Sequence, residues 1–233
     1  MTFEIWIAFI LAASANILAP GPAIVLAIRN GLSLGIRKTL YSTMGNITAI
    51  GCVGLAVTLG LGAIITTEPK IVSVMRVLGG SYLLWIAIQS WQRGMISLDH
   101  LTRDEIPDQV SDAEADISKN SRSNNSTTDK AGSSSFLFRQ SLMIGLTNPK
   151  MIIFLLALFP LFVDRTQAVT PQFLIMTITF MGLSFLSLTA FALAAVRFAR
   201  LIRQEAVVRM INKLIALIFA GFGLTLISVG FWG

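Results

Sequence analysis

The sequence predicts an all-α membrane protein, a polytopic bundle of six transmembrane helices in two inverted three-helix repeats with broken first and fourth helices. Three observations predict it. Of 233 residues, 54% are hydrophobic and only 13% are charged, where a soluble domain carries about 25% charged residues. Six apolar segments, near residues 5–28, 39–66, 71–92, 140–163, 171–196 and 208–231, are long enough as helices to cross roughly 30 Å of hydrocarbon. Two of these segments are interrupted by proline in a way that lipid cannot repair.

The first segment is read as a retained span. Ala12 to Ala15 faintly resembles a signal cleavage site, but the residues before it include Glu4 and no Lys or Arg. Its apolar run is broken by Asn16-Ile-Leu-Ala-Pro20-Gly21-Pro22. Proline removes a backbone donor and clashes with the preceding turn, so carbonyl and amide groups are left unpaired at membrane depth. The second span carries Asn46 with Thr43 and Thr48 nearby, and Cys52, which is expected to be buried. As the only cysteine, Cys52 allows no disulfide within the chain. Glycines at 45, 51, 54, 60, 62, 79 and 80 are expected to serve close helix packing.

Arg76 lies five residues into the third span. It is read as snorkelling to the surface, with a gate or counter-charge role second. The hydrophilic stretch 94–135 then divides the chain into a first repeat, 1–93, and a second, 136–233. With almost nothing apolar to bury between Ser118 and Asp129, this linker is expected to be disordered. The fourth span opens on the second break, Leu146-Thr147-Asn148-Pro149-Lys150. Three spans before the linker and three after it run in opposite senses, each set with its break in its first span and glycines in its last, which fits an inverted-topology repeat.

Charge sets the orientation. Arg29, Arg37 and Lys38 follow the first span, and Arg197, Arg200, Arg203, Arg209 and Lys213 surround the fifth connection. The other side offers only Lys70 and Arg165, each near an acid. The Lys/Arg bias puts the loops 29–38, 93–139 and 197–209 in the cytoplasm and both termini on the opposite side. A pI near 10.0 is therefore a topology signal flanking apolar spans, and nucleic acid is not expected as a partner.

Enzyme chemistry finds little support. The single histidine, His100, lies in the linker, no carboxylate pair falls within a span, and there is no Walker-type loop. No metal site and no cofactor are expected. The spans instead offer proline, asparagine, threonine, glycine and one deep cation. Lys150 follows Arg139 by eleven positions, about 16 Å along a helix, which places it near mid-bilayer. Burying its charge is expensive, so it is a functional candidate, with snorkelling as the plainer alternative. Asn16, Asn46 and Asn148 either repair backbone groups freed by proline or bind substrate, and the sequence does not separate these roles.

These residues also carry a family likeness. Ala19-Pro20-Gly21-Pro22, Gly31-x3-Gly35-x-Arg37, Gly45-Asn46, Arg76-x2-Gly79-Gly80-x-Tyr82-Leu83, Gly145-x2-Asn148-Pro149-Lys150 and Phe159-Pro160-Leu161-Phe162 occur in that order along nearly the whole chain. In this the chain resembles the LysE/RhtB family of bacterial amino-acid exporters. The resemblance implies six helices in two inverted triplets, the cell inner membrane, and export of amino acids or their derivatives driven by the proton gradient. Arg76 stands where the family usually has lysine, and Phe159-Pro-Leu-Phe where it often has Leu-Pro-Gln-Phe.

A zwitterionic substrate brings a carboxylate and an ammonium group. Half-helices restarting after Pro22 and Pro149 present amide N–H groups that favour an anion, and Lys150 adds a full positive charge. Carbonyls freed before Pro20 and Pro149, with Asn16, Asn46 and Asn148, are expected to receive the ammonium, and Pro20, Gly21 and Pro22 are counted with them as substrate-binding residues. The absence of a buried acid favours neutral over basic amino acids. The two triplets are expected to rock about this midplane site. Two other classes stay open at this point: a membrane structural or interaction protein whose prolines only shape the bundle, and a passive channel. Homo-oligomerisation is compatible with either.

Overall fold

The computed structural model describes residues 2–19, 21–67, 69–92, 133–164, 166–202 and 205–232, and the linker falls outside them. Among the described residues the chain is entirely helical: α1 (Phe3–Leu18), α2 (Pro22–Leu34), α3 (Ile36–Thr67), α4 (Pro69–Gln92), α5 (Ser134–Leu146), α6 (Pro149–Leu158) with a 3-10 turn (Phe159–Leu161), α7 (Val169–Ile202) and α8 (Glu205–Trp232).

Local chemistry fixes the helix ends. Thr2 caps α1 by accepting from the Ile5 N–H at 3.4 Å, and Ser133 caps α5 by accepting from the Phe136 N–H at 3.3 Å. Both Pro22 and Pro149 occupy the first position of a new helix, where a missing N–H costs nothing. Between α2 and α3, Gly35 takes φ 78° and ψ 168°, an extended positive-φ conformation that glycine alone adopts readily, and this ends one helix and lets the next begin at Ile36.

The two expected breaks are both present. α1 and α2 meet at 59°, and α5 and the segment Pro149–Leu161 meet at 52°. Two further stretches, Ile36–Gly60 and Val169–Arg197, are long and apolar enough to cross a membrane, so up to four spans meet that test if each bent pair is one span. Large apolar side chains face outward along these helices, among them Leu59, Ile178 and Leu186. Cys52, expected to be buried, is exposed on this outer surface, since it lies off the α3 face that carries Asn46, Ile50 and Val57 inward.

The chain segments on either side of the linker interlock. α4 lies along α8, α3 packs on both α5 and α7, α2 packs on α7, and α1 packs on α7 and α8. Close approach depends on glycine at several of these crossings: a Cβ on Gly145 would meet the Ala49 Cβ at 2.5 Å, one on Gly54 the Thr177 side chain at 2.5 Å, and one on Gly223 the Gly80 carbonyl at 2.9 Å. Gly60, expected to pack, has open space around it instead.

Helix ends gather on two sides. On one, Gly31 near the end of α2 abuts Ala192 near the end of α7, and Lys213 Nζ stands 5.5 Å over the Trp91 ring, joining the start of α8 to the end of α4. On the other, Phe9 of α1 packs edge-on against Phe159 and Phe162, at 5.7 and 5.5 Å between centroids. There the connection from α6 to α7 is tied down by Gln172, whose amide donates to the carbonyls of Asp164 and Ala168 and accepts from the Asp164 N–H. Asp164 in turn accepts from the hydroxyl and N–H of Thr166, which holds its carboxyl below the usual value.

Candidate functional site

The two breaks face one another. α1 stops at Ala19, and at the other break Asn148 caps α6 by accepting from the Lys150 N–H at 3.1 Å. The Lys150 side chain then reaches across to the first break, where Nζ donates to the Ala19 carbonyl at 2.6 Å. This is a short, charge-assisted bond between elements 131 residues apart in sequence. Lys150 thus points into the first break. A Cβ on Gly21 would lie 3.7 Å from the Lys150 Cδ and Nζ, so the glycine side of this break also borders the amine.

Around this contact lies a cavity of about 50 Å³, room for a few waters. Asn16, Asn46, Asn148 and Lys150 line it, with Ser184 adding a hydroxyl. Its remaining walls are apolar, including Ile24, Ile50, Phe180 and Leu188. It sits where two hydrophobic clusters meet: Ile50 and Phe180 belong to the larger, aromatic one, and Ile24 and Leu188 to a small aliphatic one. The first-turn N–H groups of a helix have no intrahelical acceptor, and Ala23 and Met151, from the first turns of α2 and α6, both line the cavity.

The polar groups differ in how they are satisfied. Asn148 uses one oxygen lone pair on its own helix. Asn16 is 4% exposed, and its Oδ1 has no hydrogen-bond partner among the described residues. A buried acceptor in that state costs about 1–3 kcal/mol, which a donor entering the cavity would recover. The Ala19 carbonyl, expected to receive an ammonium group from a ligand, is occupied by Lys150. Asn16 Oδ1 is thus an acceptor left open among the described residues. No carboxylate lines the cavity among the described residues, and those residues hold no metal-binding cluster of His, Cys, Asp or Glu.

Of the residues expected at the site, Asn16, Asn46, Asn148 and Lys150 are brought together, Gly21 stands beside Lys150, and Pro22 and Pro149 start the two half-helices. Pro20 lies outside the described residues, as does the side chain of Arg76. Ser184 and Phe180 of α7 were not legible as site residues. Their only signal is the spacing of Phe180, Ser184 and Leu188 on one helical face, which ordinary packing shares.

A family model described as LysE type translocator matches residues 14–230. An uncharacterized membrane protein of Vibrio cholerae is 32% identical over 226 residues, covering 97% of this chain and 98% of that protein. A homoserine/homoserine lactone efflux protein of Salmonella typhimurium is 28% identical over 98% of each chain. A leucine efflux protein of Enterobacter sp. (strain 638) is 25% identical over 95% of this chain and 94% of the relative. No solved structure matches.

Proposed function

The chain belongs to the LysE type translocator family, and from that premise we propose that it is a secondary active exporter of amino acids or amino-acid derivatives with its binding site between the two breaks. The observation that carries this reading is the bond from Lys150 Nζ to the Ala19 carbonyl across a cavity lined by three asparagines. A substrate carboxylate exchanges with that carbonyl for Lys150 and takes up first-turn N–H groups of α2 and α6. The ammonium group goes to Asn16 Oδ1, with Asn46 and Asn148 beside it. A small neutral side chain fits the apolar wall, in keeping with relatives named for homoserine, its lactone and leucine.

In this proposal the protein crosses the inner membrane six times, as repeats 1–93 and 136–233 joined by the cytoplasmic linker 94–135, with both termini periplasmic. The Lys/Arg-rich loops and the two bent pairs of similar angle support it. Export draws on the proton gradient through Lys150, the titratable side chain that lines the cavity among the described residues. Access alternates by tilting of α1 and α6 about the breaks. Rocking of two separate triplets fits less well, because the two segments interlock. Arg76 is the proposed counter-charge at the outer side.

The test is growth of cells expressing the chain in toxic levels of single amino acids, with intracellular pools measured. Protection with a lowered pool against the substrate gradient is expected for small neutral amino acids or their derivatives. Flux that only follows the electrochemical gradient would make the protein a channel, and unchanged pools for every compound would remove the exporter reading.

A further inference from the structure

Among the described residues, the buried unsatisfied polar atoms are not spread evenly about the cavity. Besides Asn16 Oδ1, buried atoms without a partner among the described residues are Asn30 Nδ2, Thr43 Oγ1 and Thr189 Oγ1. They come one each from α2, α3 and α7, and those three helices all pack on one another. Asn30 lies seven residues beyond the cavity residue Ala23, Thr43 three before Asn46, and Thr189 five beyond Ser184. At 1.5 Å per residue these are axial steps of about 10, 5 and 8 Å. All three steps run to the same side, where α2 ends, α3 begins and α7 approaches its end.

Helical threonines ordinarily satisfy their hydroxyls on the carbonyl four residues back. Thr39, Thr48, Thr58, Thr147, Thr177 and Thr225 do so here. Thr43 and Thr189 do not. On the opposite side of the cavity the buried threonines Thr58 and Thr177 are self-satisfied, and the space between helices is filled by aromatic rings. Phe9 packs on Phe159 and Phe162, Phe159 stacks on Phe173 at 5.7 Å, and Phe154 stacks on Phe180 at 5.3 Å. The side of the cavity where α2 ends therefore carries open hydrogen-bonding groups, and among the described residues the opposite side carries none.

We propose that the seam between α2, α3 and α7, marked by Asn30, Thr43 and Thr189, is the route by which a small hydrogen-bonding solute reaches the cavity from the side of loop 29–38, and that the Phe9–Phe159–Phe162 cluster is the gate closing the opposite side. The proposal rests on the exporter reading for the identity of the solute, but not for the existence of the route. Each unpartnered group costs folding free energy where it stands, and a solute or its water passing the seam recovers that cost in turn. Translocation, unlike packing, gains from polar groups that are left unfilled.

The experiment uses the full chain in oriented membrane vesicles, with Cys52→Ser as background because Cys52 is exposed on the outer surface. Single variants Asn30→Cys, Thr43→Cys and Phe9→Cys are treated with a membrane-impermeant cationic thiosulfonate from either side. Asn30→Cys and Thr43→Cys are expected to react about 10-fold or more faster from the side exposing loop 29–38, and Phe9→Cys to resist reagent from both sides, as sealed aromatic packing requires. Equal or absent reaction at positions 30 and 43 overturns the route. In parallel, Thr43→Val and Thr189→Val remove only the unfilled hydroxyl. Thermal midpoints at or above that of the parent, with uptake into inside-out vesicles lowered about 10-fold, are expected if solute uses these groups; parental uptake rates overturn it. The labelling pattern needs no substrate. A chain that labels as expected yet moves no amino acid supports the route while ending the exporter reading.

Discussion

The two breaks share a proline and a bend, yet they are repaired differently. The second break is self-contained: Thr147 bonds the Met143 carbonyl, the Asn148 N–H bonds the Gly145 carbonyl, and the Asn148 side chain caps Lys150. At the first break Gly21 makes no side-chain cap, Asn16 Oδ1 has no partner among the described residues, and the Ala19 carbonyl is satisfied by Lys150 from the other break. A break that repairs itself is a fixed support. A break that borrows its repair from another helix loosens whenever the lender lets go. On the proposed function, ligand binding that withdraws Lys150 from Ala19 would free the first break in particular and so couple occupancy to the tilt of α1.

The largest expected effect tests this dependence directly. Lys150→Met keeps the length and apolar body of the side chain but removes its charge and its bond to Ala19. Export is expected to fall to background while the protein remains inserted, and thiol labelling near the first break should rise. Export that survives in vesicles with unaltered pH dependence would reduce Lys150 to an anchor. Next in size is Asn16→Leu. Removing a buried, unpartnered acceptor should leave stability unchanged or raise it, whereas export should fall about 10-fold, a transition-state loss near 1.4 kcal/mol. A fall in both stability and transport would make Asn16 a structural group.

The contrast between the breaks was only partly legible in the sequence. Proline at 20, 22 and 149 announces the interruptions because its chemistry is local. The charge at Lys150 is likewise local, and so is the polar run that separates the two sets of helices. Which carbonyl Lys150 bonds is not local, since Ala19 looks like any other alanine in an apolar run. Cys52 and Gly60 misled for the same reason: facing outward or inward depends on which neighbour covers that side of α3. Asn30, Thr43 and Thr189 carry polar side chains that are common in membrane helices. Only the packing of α2, α3 and α7 reveals that their atoms lack partners.

A smaller effect measures how much support the second break provides. Asn148→Ala deletes the helix cap at about 1 kcal/mol, which for a chain of this size lowers the thermal midpoint in detergent by roughly 2–4 °C. Asn148→Asp retains an accepting oxygen and should recover most of that loss. Recovery of stability by Asp without recovery of export would show that Asn148 also meets the ligand, and recovery of both would confine it to capping.

The smallest effect is expected at Gly21, and it separates conformational need from need for space. With φ −156° and ψ 176° the residue is extended, a conformation open to any amino acid. An added Cβ would meet the Lys150 side chain at 3.7 Å, an ordinary contact. Gly21→Ala should therefore change stability by no more than about 0.5 kcal/mol, offset in part by the lower entropy of the unfolded chain. Export within about threefold of the parent, under 1 kcal/mol of barrier, is expected if the ligand meets Lys150 from the Asn16 side. Loss of export from a fully stable Gly21→Ala protein would instead mean that the ligand passes over the glycine itself, and the first break would then be a binding surface as well as a hinge.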